Sequence, residues 1–176
     1  MLELYHSWDS FCSFKVRLCL EEKGLDWTGH HLDLMKFENL RPDYMTVNPN
    51  GLVPTLIDDG TVIVESTIIN EYLDDAYPSA PLRPEDARAK ARMRLWLYDS
   101  EAIAHPGVNT ASYNPRHAPR LGRFSKEQLM ETVSGHPDRN TRIRMMKRAE
   151  HGVPARVVLA AAIVAYESPA DPTATR

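Results

Sequence analysis

The chain has 176 residues, room for one large or two small domains. Hydrophobic residues make up 43% and charged residues 26%, a balance that supports a packed core under a solvated surface. The net charge is -3 with the signs interspersed, which excludes a broad electrostatic pull on nucleic acid or on an anionic membrane. One basic stretch, RNTRIRMMKR from Arg139 to Arg148, follows an amphipathic helical pattern and reads as a solvated helix face. The start, MLELYHS, has neither a basic leader nor a long apolar run, so no signal peptide is expected. The longest apolar run, Val157 to Ala165, is about half of the ~20 residues that a membrane span needs. A cytoplasmic location is expected.

In chain order, LELYH (Leu2 to His6) alternates apolar and polar and reads as a short strand. Phe11 to Lys23 mixes Phe14, Val16, Leu18, Cys19 and Leu20 with charged residues and meets Gly24, the signature of a helix with its C-terminal glycine. Trp27 to Leu34 reads as a second strand. Phe37 to Met45 is a weak helix or an irregular segment. PTLIDDGTVIVES places Asp59-Gly60 between two short apolar runs, a hairpin signal. Ser66 to Ala76 is the next helix. The first half therefore reads βαβ, then (α)ββα, with parallel strands first and an antiparallel hairpin closing the sheet. Tyr77 to Asp86 holds three prolines and reads as a linker. Beyond it the pattern is helical: Ala87 to Ile103, Lys126 to Glu150 with a break at Gly135 to Pro137, and Pro154 to Glu167. The tail SPADPTATR is polar and expected to be loose.

Cys12 and Cys19 are the only cysteines. On one helix they lie about 10 Å apart at ~1.5 Å rise per residue, beyond the ~7 Å that a disulfide spans. Two thiols are too few for a thiolate metal site. The seven histidines are scattered. His30 and His31 face opposite sides of a strand. No metal site is expected.

Three places could carry chemistry. Val53-Pro54 is either an ordinary trans proline at an edge strand or a cis peptide that frees the Val53 backbone to pair with an extended ligand. Glu65-Ser66 begins a helix directly after a strand. Ser66 is either a simple cap or part of an anion site built on the helix N-terminus. Ser10, Cys12 and Ser13 crowd the start of the first helix, at the carboxyl edge of the sheet where open α/β folds collect ligands. A thiol there is expected to become more acidic. The alternative is a serine-rich cap beside a buried Cys12, and Cys19 reads as core.

SFCSFKVRLCLEEKG, NPNGLVPTLIDDG and VIVESTIINEYLDDAYP, in that order, resemble the glutathione transferase superfamily. The resemblance covers Met1 to about Arg83 and continues more faintly through DARAKARMRLW. It implies a thioredoxin-like α/β N-terminal domain over 1–80, an all-α C-terminal domain over 85–168, a loose tail over 169–176, and glutathione as cosubstrate. It implies that Val53, before a cis Pro54, pairs with the cysteinyl backbone of glutathione and that Glu65 and Ser66 hold its γ-glutamyl end. Ser10 would stabilise the glutathione thiolate. Lys36 or Asn50 would meet the glycyl carboxylate.

The variant S-x-C-S resembles the zeta-type classes, including bacterial reductive dehalogenases in which the cysteine forms a mixed disulfide with glutathione. ENLRPDY (Glu38 to Tyr44) also resembles those dehalogenases. Asn48 to Pro78 and HGVPARVVLAAAIVAYE resemble bacterial β-etherases, where the serine aligned with Ser13 is the candidate.

One departure is that no Ser/Thr-x-x-Asp capping box follows Pro154. The helical domain is therefore expected to be incomplete and to expose apolar surface. The resemblance implies a glutathione transferase-like enzyme acting on electrophilic, aromatic compounds, as in detoxification. One alternative is Cys12-dependent reductive dehalogenase or β-etherase chemistry; another is a non-catalytic glutathione-binding or interaction module. It also implies a homodimer, with Arg92 and Trp96 at the interface.

Overall fold

A computed structural model describes residues 1–112, 117–137 and 139–151. The first strand, β1 (Leu2–His6), buries Leu2, Leu4 and His6 on one face, as its alternation dictates. Helix α1 (Phe11–Glu22) follows, capped by the Ser10 side chain, which accepts from the Ser13 N–H. Lys23 closes the helix, and Gly24 takes a φ of 62° just beyond it. Strand β2 (Trp27–His31) pairs parallel to β1. It is shorter than the expected Trp27 to Leu34. Leu32 donates to the His6 carbonyl at 2.8 Å, and the Asp33 carboxylate then accepts from the Met35 N–H and starts a tight 3₁₀ turn.

The segment Phe37 to Met45 divides into a second 3₁₀ turn, Glu38–Leu40, and a short helix, α2 (Pro42–Val47). Strands β3 (Thr55–Asp58) and β4 (Thr61–Val64) form the hairpin. Asp59 and Gly60 between them both have positive φ, 45° and 84°, as the two-residue turn of a right-twisted hairpin requires. β3 also pairs antiparallel to β1, so the sheet order is β2-β1-β3-β4. Helix α3 (Ser66–Ala76) follows β4. This is a thioredoxin-like topology, with β1 and β3 in the centre. The core joins Leu2, Leu4 and Leu56 of the sheet to Val16 and Leu20 of α1 and Ile69 and Leu73 of α3. The other face carries Tyr5, whose ring stacks on His30 and lies 5.4 Å from that of Tyr44 on α2.

The proline-rich stretch Tyr77 to Asp86, expected as a linker, is tied down. The Asp74 carboxylate near the end of α3 accepts from the Leu82 and Arg83 N–H groups, and the Lys23 ammonium donates to the Ala80 carbonyl. Helix α4 (Ala87–Asp99) then runs through a π-helical turn (Ser100–Ala104) into α5 (His105–Ser112). The region between Ile103 and Lys126, left unassigned by periodicity, thus supplies α5 and a single turn, α6 (Ala118–Leu121). Helices α7 (Lys126–Ser134) and α8 (Arg139–His151) are separated at the expected Gly135 to Pro137 break. A reciprocal Ser125–Gln128 capping box opens α7. The helix and tail expected beyond Pro154 lie outside the described residues. Among the described residues no helix is long and apolar enough to cross a membrane.

Candidate functional site

The start of α1 is positioned by its own inward face. Ser13, fully buried, accepts from the Ser7 N–H through Oγ at 3.3 Å. The Arg17 guanidinium, one turn on, donates to the Ser7 carbonyl at 3.0 Å and packs 4.6 Å from the centre of the Trp8 ring. Its other neighbour is His6, 3.3 Å from Arg17 Nη1. Burial, the Arg17 charge and the neighbouring histidines lower His6 to about 4, so it is neutral at pH 7 and can accept from Arg17. The turn Ser7 to Ser10 is thereby fixed from below, and Ser10 is held at the helix N-terminus. Its Oγ accepts the Ser13 N–H at 3.1 Å. Accepting that bond uses a lone pair and leaves the hydroxyl proton to be donated elsewhere.

A second helix N-terminus lies nearby. Glu65, a non-glycine residue, sits at φ 69°, in the left-handed half of conformational space. Such strain collects at functional sites. The residue turns the chain from β4 into α3 and leaves Ser66 as the first helical residue. Across the same space, the loop Asn48 to Pro54 is held by Asn48, whose side-chain amide donates to the Leu52 carbonyl and to the Thr55 hydroxyl. Tyr44 also donates to the Leu52 carbonyl. The Val53–Pro54 bond is cis, as the family resemblance implies and against the commoner trans form.

These pieces enclose one cleft of about 540 Å³, walled by Ser10, Cys12, Val53, Pro54, Glu65 and Ser66 on one side. The other side mixes the apolar Val108, Leu121, Leu129 and Val133 with the polar Glu101, His105, Asn109 and His136. Two helix N-termini therefore open on one pocket, with backbone N–H groups and hydroxyls able to receive negative charge.

Three expected site residues lie elsewhere. Ser13 belongs to the buried underside of the α1 turn and is not in the cleft wall. Lys36 is exposed and paired with Asp33 at 3.3 Å. Asn50 is exposed and bonds through its backbone N–H to the Asn48 side chain. The expectation of an acidified Cys12 is also corrected. Burial pushes the Cys12 thiol up and the Glu101 charge adds to this, against a hydrogen bond with Ser66 and the Lys15 charge.

Glu101 was invisible to sequence patterning. It comes from the π-helical turn and accepts from Thr67 at 2.9 Å and Ser66 at 3.3 Å. It also forms an ion pair with Lys15. Burial alone would raise its carboxyl, but the hydrogen bonds from Lys15 and Thr67 outweigh that and hold it below the usual range. Glu101 thus ties α1, the start of α3 and the α4–α5 helix together at the cleft floor. No local motif marks it, because its partners are joined only by the tertiary fold.

Residues 9–76 match the family described as the glutathione S-transferase N-terminal domain. Glutathione S-transferase Z2 of Arabidopsis thaliana is 42% identical over 128 residues, covering 73% of this chain and 53% of the relative. A probable maleylacetoacetate isomerase of Caenorhabditis elegans is 40% identical over 134 residues, covering 74% of this chain and 62% of the relative. Among solved structures, the β-etherase LigF of Sphingobium sp. strain SYK-6 superposes with a TM-score of 0.85 at 30% identity, covering 93% of this chain and 68% of that one. The chain spans about half the length of the curated relatives it matches. On these likenesses the chain belongs to the glutathione S-transferase family.

Proposed function

We propose that this chain binds reduced glutathione in the cleft and holds its sulfur as a thiolate beside Ser10. The observation that carries this reading is that Ser10 and the Glu65-Ser66 turn, each at a helix N-terminus, open on the same cleft. The γ-glutamyl carboxylate would sit at the start of α3, on the Ser66 N–H and on the Ser66 hydroxyl once that turns its one proton away from Glu101. The Val53 backbone would meet the cysteinyl unit, and the sulfur would then lie toward Ser10. Lowering a thiol pKa by ~1.5 to 2 units requires roughly 2 to 3 kcal/mol. One hydroxyl hydrogen bond to the thiolate contributes about 1.5 to 3 kcal/mol, and the helix end about 0.3 to 1 kcal/mol more. The thiolate would attack an electrophilic carbon and form the C–S bond as a leaving group departs or a double bond is taken up. Val108, Leu129 and Val133, set among polar groups on that side, offer apolar contact to an aromatic electrophile.

A second reading gives the nucleophile to Cys12, because Cys12 also lines the cleft beside Ser66. It requires Cys12→Ser to abolish turnover and Ser10→Ala to spare it. The first reading requires Ser10→Ala to lower turnover and Cys12→Ser to spare it. The deciding experiment is titration calorimetry of the chain with reduced glutathione, with Ser66→Ala as the control. Binding that Ser66→Ala weakens about tenfold supports the site. Absence of binding by folded protein overturns the glutathione reading. Binding without turnover on any aryl electrophile leaves a ligand-binding module.

The same reading includes a division into a sheet domain and a helical domain near residues 80–85. It includes a homodimer formed through the exposed flank of α4, where Leu95, Trp96 and Tyr98 stand out into solvent beside the exposed Arg92. A reducing, cytoplasmic setting fits two free cysteines.

A further inference from the structure

Cys12, Glu101 and His105 bring a thiol, a carboxylate oxygen and an imidazole nitrogen within 4.8 Å of one another at the floor of the cleft. The geometry points to a binding site for a zinc-class divalent cation. The donor set is of the kind such a borderline-soft ion takes, one sulfur, one nitrogen and one oxygen, and all three residues line the cleft. Ligand atoms around tetrahedral zinc stand ~3.5 Å apart at the usual bond lengths. The observed spacing closes to that by side-chain rotation of about an ångström.

Two features hold the carboxylate and the ring ready. Glu101 presents its oxygens unequally. Oε1 takes the donors Lys15, Ser66 and Thr67, while Oε2 faces His105 Nδ1 at 4.0 Å. That separation is too long for a hydrogen bond and wide enough for an ion to bridge. A ligating carboxylate steadied through its other oxygen is a usual outer-shell arrangement of metal sites. The His105 ring runs nearly parallel to that of Phe11 and offset from it, with centroids 6.1 Å apart and planes 7° from parallel, which restricts the plane in which its nitrogens can approach.

Glu101 and His105 are four residues apart across the π-helical turn, and such turns recur where side chains are re-aimed for function. Cys12 meets them from the first turn of α1. Binding releases the Cys12 thiol proton to solvent. The thiolate and Glu101, offset by Lys15, then leave the site with one net negative charge for the cation to meet. The inference stands independently of glutathione binding.

The test is titration of the reduced full chain with Co²⁺ without glutathione, followed by Zn²⁺. A one-to-one complex with a near-ultraviolet thiolate-to-cobalt band, displaced by Zn²⁺, is expected. Cys12→Ser removes the band. Glu101→Gln and His105→Gln each weaken Co²⁺ binding at least about tenfold, since loss even of an outer-shell partner costs 10- to 100-fold. Cys19→Ala leaves band and affinity unchanged. Circular dichroism of each variant verifies that the fold persists. Absence of a thiolate band in folded wild-type protein, a band that Cys19→Ala removes, or unchanged affinity in the Glu101 and His105 variants overturns the site.

Discussion

At the C-terminal end of α1, the buried Lys23 ammonium donates to the buried Asp74 carboxylate at 2.7 Å, and that carboxylate also receives the Leu82 and Arg83 N–H groups and the Arg83 guanidinium. At the N-terminal end, Ser10 accepts one N–H and keeps its proton, Cys12 stands in the cleft wall, and Glu101 gathers three donors on one oxygen. One helix thus joins a polar cluster whose groups satisfy one another to a polar cluster with capacity left over. The first kind locks a connection between elements. The second leaves donors and acceptors aimed at space where a ligand can sit. Buried polarity by itself therefore does not identify a site; what the polar groups still have to give does.

The largest effect is expected where satisfaction is most complete. Asp74→Ala leaves Lys23 buried without its counter-charge and releases the Leu82 and Arg83 N–H groups. Removing one partner of a buried pair costs about 3 to 5 kcal/mol, and urea unfolding should read that loss. A loss below ~1 kcal/mol would break the comparison. The same carboxylate gives a pH signature. Its burial opposes ionisation, but the Lys23 and backbone hydrogen bonds outweigh this, so its folded pKa lies below normal. A depressed carboxyl contributes stability that is present above the unfolded value of about 3.9 and lost as pH falls through the lower folded one. Wild-type protein should lose stability below about pH 4 more steeply than Asp74→Asn. Parallel curves would refute the assignment.

At the open end, Ser10→Ala should cost stability only as a helix cap, about 1 kcal/mol. Its effect on conjugation should be larger. Loss of a hydroxyl donor to a thiolate, about 1.5 to 3 kcal/mol, corresponds to a roughly 10- to 150-fold drop in kcat/KM. Stopped-flow measurement of bound-thiolate absorbance against pH should show the thiol pKa rising by ~1 to 2 units in the variant. An unchanged thiolate pKa would shift the chemistry away from Ser10.

Much of the sheet half was legible because its signals are local. Asp59-Gly60 fixed the hairpin, Ser10 and Gly24 bracketed α1, and Ser66 opened α3. The end of β2 was misjudged because the Asp33 side chain starts a turn that apolar patterning does not register. The helical path through His105 was missed because HPGVNTAS has a proline and a glycine in its first turn and no clear apolar stripe. Glu101 could not have been found from sequence alone. It stands 86 positions from Lys15, and only the tertiary fold brings them together.

Ser13 is the instructive case, because a signal for its buried position was present. Ser13, Val16, Arg17 and Leu20 fall at i, i+3, i+4 and i+7, and all four are buried; that spacing marks one helix face. The resemblance suggested a residue that handles the thiolate, whereas position assigned Ser13 to the underside of the helix. Ser13→Ala should remove the acceptor of the Ser7 N–H and cost about 1 kcal/mol of stability. Conjugation activity should stay within about twofold of wild type, since the pinning by Arg17 keeps Ser10 in place. Calorimetric unfolding and a turnover assay on the same preparation separate the two effects. Lost turnover in a variant of undiminished stability would return Ser13 to the site and undo the division between the polar groups that build the α1 turn and those that serve the cleft.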